Sequence, residues 1–102
     1  MVEVFYKTGV REEQQNEETE YYTLALMPVP PASYVVVQIH GVWDDGVKEA
    51  NRTSIVLSTE DAELEAKAIY DSRRAYLVET GFIHVVGDWP NPRPEWHGLF
   101  RV

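Results

Sequence analysis

The stretch from Thr53 to Val86, TSIVLSTEDAELEAKAIYDSRRAYLVETGFIHVV, predicts a strand, a capped helix, a glycine stop and a second strand. Ser58 or Thr59 supplies a hydroxyl that can cap the helix, and acidic residues crowd its first turns, where the helix dipole favours negative charge. Gly81 stands where a residue in the left-handed conformation would end the helix. We therefore predict one long helix, Glu60–Thr80, that lies on a sheet.

Outside this stretch, runs of β-branched and aromatic residues predict the other strands. Asp44-Asp45-Gly46 is a strong hairpin signal between two of them. The predicted fold is α+β: a single domain over residues 1–102, with one antiparallel sheet of about five strands packed against one long α-helix, in the order β-β-β-β-α-β. The predicted strands are Val2–Tyr6, Tyr21–Met27, Tyr34–Trp43, Val47–Leu57 and Phe82–Val86, with Trp96–Val102 as a possible extra C-terminal strand.

Two apolar stripes run along the predicted helix. The first faces the sheet and is expected to be buried, with Ile69 fully buried, and we expect the helix to dock along the third and fourth strands because their lengths match. The second lies on the opposite side, where it is covered by Trp96–Val102 or used at an interface. The first stripe is Ala62, Ala66, Ile69, Tyr76 and Leu77, and the second is Leu64, Ala68, Ala75 and Val78.

The charge balance limits the classes of partner. Seventeen acidic residues against nine basic ones give a net charge of −8, so the overall field repels a phosphate backbone. We do not expect direct nucleic-acid binding, and a basic protein partner fits the charge better. No apolar run approaches the roughly 20 residues of a membrane span, and no secretion signal opens the chain, so we expect a cytoplasmic protein without a membrane segment.

The sequence contains none of the residue patterns that are typical of catalytic sites. The chain has no cysteine, no nucleophile elbow and no phosphate-binding glycine loop. His40, His84 and His97 do not fall at metal-ligand spacings. We expect no catalytic residue, no metal and no cofactor. A deep pocket that converges on His40 or His84 would instead favour a small ligand-binding protein or an enzyme accessory subunit.

The expected partner-binding residues are acidic and aromatic. The segment between the first two strands is either a long exposed loop or an extended hairpin tip, and its glutamates could imitate phosphates. The tryptophans are typical of interface hot spots, although they could also hold the tail onto the core. Arg73 is a functional cation framed by Tyr70 and Tyr76, the buried partner of a carboxylate, or a side chain packed along the edge of the stripe. The candidates are Glu12, Glu13, Glu17, Glu18, Trp43, Trp89, Trp96 and Arg73.

The order of elements from Phe5 to Val85 resembles the WGR domain, a small sheet-and-helix module found in some poly(ADP-ribose) polymerases. The shared features are Tyr21-Tyr22, Tyr34–Val37 before a glycine, the helix opening at Ser58–Ala62, and Gly81-Phe82. Where the family has Trp-Gly-Arg, this chain has His40-Gly41-Val42-Trp43. The resemblance implies the predicted fold and an alternative function as a divergent nucleic-acid-binding module. One continuous basic groove near Arg73 and Arg74 would favour that alternative.

From these observations we expect a non-catalytic protein-interaction domain that docks on a basic protein surface. A small acidic inhibitor or regulator fits this description, for example one that imitates phosphates in the manner of anti-defence proteins.

Overall fold

The computed structural model describes residues 1–11, 16–44 and 47–86. These residues form a five-stranded antiparallel sheet in the order β4-β3-β2-β1-β5 with one α-helix packed on it, which confirms the predicted α+β fold and its order of elements. The extra strand predicted over Trp96–Val102 lies outside the described residues. The elements are β1 (Val2–Arg11), β2 (Asn16–Val29), β3 (Ser33–Asp44), β4 (Val47–Leu57), α1 (Ala62–Glu79) and β5 (Ile83–His84).

The first two strands form an extended hairpin. They pair from Val2 opposite Ala25 to Arg11 opposite Asn16, well beyond the ends predicted from their apolar residues. Of the two alternatives for this segment, the hairpin is therefore the one observed. A ladder of backbone hydrogen bonds does not require apolar side chains, so a polar sequence can continue it. In the hairpin formed by β3 and β4, Asp44 lies opposite Val47, as the turn signal predicts.

The start of α1 differs from the prediction. The helix begins at Ala62, and the capping position is Asp61, which makes no side-chain capping hydrogen bond. The Ser58 hydroxyl is instead 2.9 Å from the hydroxyl of Ser33, and Thr59 contributes its carbonyl, which accepts from the N–H of Ala62 at 3.1 Å. The predicted hydroxyl cap was wrong because a tertiary partner holds Ser58.

The end of α1 confirms the predicted glycine stop. The backbone angle φ of Gly81 is 95°, a value that residues other than glycine rarely adopt. Its N–H donates to the carbonyl of Val78 at 3.2 Å, and the N–H of Phe82 donates to the carbonyl of Leu77 at 2.9 Å. These two bonds form a Schellman motif, and Phe82 also packs against the core cluster that contains Leu77.

The buried face of α1 is turned relative to the prediction. Ala62, Ala66, Tyr70 and Leu77 are buried, whereas Ile69 is half-buried. Tyr76 is 62% exposed, so its place in the buried stripe was also wrong. Spacings of three and four residues are both compatible with one helix face, and Tyr70 rather than Ile69 enters the core because its hydroxyl finds a hydrogen-bond acceptor on the sheet.

The position of α1 on the sheet also differs from the expected docking along β3 and β4. The helix lies mainly over β2 and β3, with fewer contacts to β4. Its core partners include Phe5 of β1 and Leu24 of β2. Because β2 is the middle strand of the sheet, the helix covers the centre rather than the β3–β4 edge.

The second stripe of α1 is exposed, as a non-core face should be. Leu64 is 70% and Val78 is 51% exposed, and Ala68 and Ala75 are exposed as well. The segment expected to cover them, Trp96–Val102, lies outside the described residues. On the far face of the sheet, a second core cluster forms around Tyr21, Ala25, Val37 and Ile39.

Candidate functional site

Two adjacent arginines leave α1 toward opposite sides of the helix. Arg74 reaches Glu3 on β1, and Arg73 reaches Gln38 on β3. Each arginine therefore sits in its own environment on the helix-covered face of the sheet. We refer to Glu3, Tyr70, Arg74 and His84 as the Glu3 cluster, and to the space beside Arg73 as the Arg73 cleft.

The Glu3 cluster is a compact, charge-compensated group. The hydroxyl of Tyr70 donates to Oε1 of Glu3 at 2.5 Å, and Nε of Arg74 donates to the Glu3 carboxylate at 3.1 and 3.2 Å. Nε2 of His84 is 3.7 Å from Oε2 of Glu3, and the Arg74 guanidinium lies 5.6 Å from the centre of the Phe5 ring. The Glu3 side chain is only 15% exposed, so it joins α1 to β1 largely out of water.

The pKa values of this cluster follow from its contacts. Burial disfavours the charge on Glu3, but hydrogen bonds from Tyr70 and Arg74, with the charges of Arg74 and His84, outweigh it and lower the pKa of Glu3 below 4.5. Burial, followed by the hydrogen bond to Glu3, raises the pKa of Tyr70 far above its usual value of 10.0. Glu3 is therefore held as a carboxylate and Tyr70 as a neutral phenol that donates to it.

The Arg73 cleft has a different chemistry. Nη1 of Arg73 donates to Oε1 of Gln38 at 2.5 Å, which is a bond to a neutral amide. Within the described residues, no carboxylate forms an ion pair with Arg73. A cleft of about 410 Å³ opens beside this half-buried cation, between α1 and the sheet. It is lined by Tyr22, Gln38, Ser72, Arg73, Tyr76 and Leu77.

The sheet side of the cleft is held in place by aromatic stacking. The Tyr22 ring stacks on His40, with ring centres 4.2 Å apart and an angle of 18°, and meets the edge of Phe82 at 5.1 Å. Nε2 of His40 in turn donates to Oε2 of Glu20 at 3.2 Å. Burial, with the nearby Glu20 and Tyr76, raises the pKa of Tyr22, so this phenol is neutral at neutral pH.

Of the residues predicted to form a site, the structure places Arg73 in the cleft. Tyr76 does frame it, but Tyr70 belongs to the Glu3 cluster, and Tyr22 is the second ring of the cleft. Glu17 and Glu18 lie in β2, opposite Val10 and Gly9, and Trp43 lies in β3, opposite Thr19. Glu12, Glu13, Trp89 and Trp96 lie outside the described residues.

Three residues of these two environments carry no site signal in the sequence. Glu3 and Gln38 are isolated polar residues within predicted strands, and Tyr22 is an ordinary strand aromatic. The alternation of side chains along a strand assigns residues to one of two faces, but it does not say which face the helix covers. Gln38 follows the apolar run Tyr34–Val37, but a polar residue at such a position does not by itself indicate a site.

The described residues contain neither a candidate metal site nor a helix that could span a membrane. Among the residues that the structure describes, no three histidine or acidic side chains come together as a candidate metal site. In the same part of the chain, the helix is not long and apolar enough to span a membrane.

Comparisons with known proteins found no relative for this chain. It matches no known protein family, no characterised protein and no solved structure at a significant level. The resemblance to the WGR domain therefore stays a prediction from the residues quoted above.

Proposed function

We propose that this protein is a non-catalytic interaction domain, a small acidic inhibitor or regulator that docks on a basic protein surface through the outer face of α1. One observation carries the proposal: both arginines of the helix bond to residues of the sheet and are half-buried, whereas the carboxylates of the helix are exposed. The remaining helix cation, Lys67, is engaged by Asp71 at 2.9 Å. The exposed acidic residues are Glu60, Asp61, Glu63, Glu65, Asp71 and Glu79.

The same face carries apolar side chains that could supply affinity. Leu64 and Val78 are 70% and 51% exposed, and they lie among the carboxylates. A central apolar contact with a charged surround is the usual arrangement of a protein interface, where the charges set orientation and association rate. Carboxylates spaced along a helix can also stand in for phosphates, which fits an inhibitor of a nucleic-acid-binding protein in the cytoplasm.

The divergence of the two arginines supports a protein partner over nucleic acid. Within the described residues, Arg74 is neutralised by Glu3 on one side of α1, and Arg73 lies in a cleft on the other. These cations do not form one groove along which a phosphate backbone could lie. We expect no binding to duplex DNA at physiological salt by fluorescence anisotropy. Salt-sensitive submicromolar binding would favour the WGR-like alternative.

The experiment that tests the proposal compares two matched variants. After affinity capture from host extract identifies a partner, the purified partner is titrated with the wild type, with Glu63→Gln/Glu65→Gln and with Glu17→Gln/Glu18→Gln. Each double variant removes the same charge, but one alters the helix and the other alters the hairpin. We expect the helix variant to associate more slowly and bind more weakly, with an effect that shrinks at high salt.

The other outcomes contradict the helix proposal in different ways. Loss confined to the hairpin variant would move the contact to the predicted set around Glu12, Glu13, Glu17 and Glu18. Equal loss in both variants would indicate non-specific charge attraction. Unchanged binding in both would leave Trp43, Trp89 and Trp96 as the predicted contact residues to substitute next. Leu64→Ser should speed dissociation if the apolar stripe is buried in the complex.

A second candidate function, a small ligand-binding protein or an enzyme accessory subunit, is favoured by the Arg73 cleft. Tyr22, which lines this cleft, stacks on His40, but neither His40 nor His84 is itself a lining residue.

A further inference from the structure

We propose that the Arg73 cleft binds a small organic anion in which a carboxylate is attached to a flat apolar ring. This site lies between α1 and the sheet, so the proposal does not depend on the docking function of the outer face of α1. It rests on the orientation of Arg73, on the two tyrosines and on the size of the cleft.

The anion-binding group is an arginine that is oriented without being neutralised. Gln38 accepts one N–H of the guanidinium through a neutral oxygen, and a guanidinium carries five such donors. Because no described carboxylate pairs with Arg73, its positive charge and the remaining donors are available to a ligand. A carboxylate matches the planar fork of a guanidinium with two parallel hydrogen bonds.

The remaining walls suit a ring. Tyr22 presents a ring that is already fixed by His40 and Phe82, so binding does not have to order it. Tyr76 is 62% exposed and lines the same cleft, and the buried Leu77 adds apolar surface. Aromatic side chains attract a second ring in stacked or edge-to-face geometry.

The size and charge of the cleft narrow the ligand class. Its volume of about 410 Å³ falls within the roughly 300–1,000 Å³ of typical small-molecule sites. The described lining contains one cation, Arg73, in a chain with a net charge of −8. One guanidinium balances a singly charged carboxylate, whereas a doubly charged phosphate would require more donors.

The primary test is an NMR titration of the ¹⁵N-labelled full chain with phenylacetate and with phenylacetamide, its neutral analogue. We expect saturable shifts at the amides of Arg73, Gln38 and Tyr22, and an affinity for phenylacetate at least about tenfold higher than for the amide. Equal affinity for the two probes, shifts confined to other residues, or no saturation by about 10 mM would overturn the proposal.

A variant series tests the role of Arg73. Arg73→Gln should weaken phenylacetate binding by about tenfold or more, and Arg73→Lys should restore part of the loss. Lys67→Gln removes the same charge from the exposed helix surface and should leave binding unchanged. Equal weakening by Lys67→Gln and Arg73→Gln would show a bulk charge effect and contradict the site.

The source of the carboxylate is distinguished by a second pair of probes. N-acetylphenylalanine presents the ring and carboxylate of a peptide C-terminus, and its amide removes the charge. Tighter binding of N-acetylphenylalanine than of phenylacetate would assign the site to a peptide terminus, and the reverse order would assign it to a free aromatic acid. Both orders support the carboxylate site, provided that each acid binds better than its amide.

Discussion

The two neighbouring arginines of α1 have different partners on the two sides of the helix. On one side, Arg74 meets the Glu3 carboxylate, which Tyr70 also contacts, and the charges compensate one another. On the other side, Arg73 meets the neutral amide of Gln38 beside a cleft. The first arrangement uses its hydrogen bonds to hold the helix on the sheet, and the second leaves a cation to be matched by something else.

This difference separates a structural group from a candidate binding group. A half-buried charge whose partners lie within the chain contributes to folding, and its removal lowers stability. Arg73 donates to a neutral amide and pairs with no described carboxylate, so its charge is left for a ligand to balance. We therefore expect substitutions in the Glu3 cluster to change the free energy of unfolding and substitutions in the Arg73 cleft to change binding.

The largest contrast is expected between two tyrosines of the same helix. Tyr70→Ala should lower the free energy of unfolding by about 3–5 kcal/mol, because it removes a buried aromatic ring and leaves a cavity. Tyr76→Ala should change it by less than about 0.5 kcal/mol, because this ring is exposed. Urea denaturation of both variants measures the difference. Similar losses would show that the two sides of α1 are equally structural.

The next contrast concerns the carboxylate itself. Glu3→Gln should destabilise the fold by about 1–2 kcal/mol, since the charge-assisted bonds from Tyr70 and Arg74 become neutral ones and Arg74 is partly screened by water. Glu20→Gln is the matched control, because Glu20 contacts a single histidine, and it should cost less than about 1 kcal/mol. If urea denaturation gave the same loss in free energy of unfolding for Glu3→Gln and Glu20→Gln, the larger structural contribution expected of Glu3 would be contradicted.

The pH dependence of stability gives a third test of the Glu3 cluster. The pKa of Glu3 is lower in the folded chain than its ordinary value of 4.5, so the folded state binds fewer protons than the unfolded state as Glu3 titrates. Its contribution is present above that value and is lost as the pH falls through the folded-state pKa. The stability gap between the wild type and Glu3→Gln should therefore narrow between about pH 5 and pH 2. A constant gap would contradict this linkage.

The smallest change in stability is expected from a substitution that gives Arg73 a carboxylate partner, as Glu3 is for Arg74. Gln38→Glu gives Arg73 a carboxylate partner and should stabilise the fold by at most about 1 kcal/mol, because the pair is only half-buried. It should also abolish phenylacetate binding by neutralising the guanidinium. A double-mutant cycle with Arg73→Gln isolates the new pair. Retained binding in Gln38→Glu would show that Arg73 is not the recognition group.

Local signals in the sequence were sufficient for the architecture. The hydrophobic pattern of the strands, the Asp44-Asp45-Gly46 turn and the Gly81 stop each act within a few residues, and the structure confirms the elements they predict. Local signals failed where a distant residue took part. Ser58 or Thr59 was expected to cap the helix, but neither hydroxyl does, and the Ser58 hydroxyl instead contacts Ser33, which is distant in the sequence.

The candidate site lay largely beyond the reach of sequence reasoning. A functional cation was one of the three alternatives that the sequence left open for Arg73. Its neutral partner Gln38 and the Tyr22 wall depend on which strand the helix covers, and this follows from the sheet order and not from any local pattern.

The amino-acid sequence by itself therefore determined the kind and order of the described elements, and the acidic character of the chain. The tertiary structure decided how the helix is rotated and which of two identical neighbouring side chains is neutralised. The physical reason is that helix and strand formation depend on nearby residues, whereas the state of a charge depends on whatever the fold brings within a few ångströms of it. Glu3 and Arg74 are 71 residues apart in the sequence, and only the packing of α1 on β1 makes them partners.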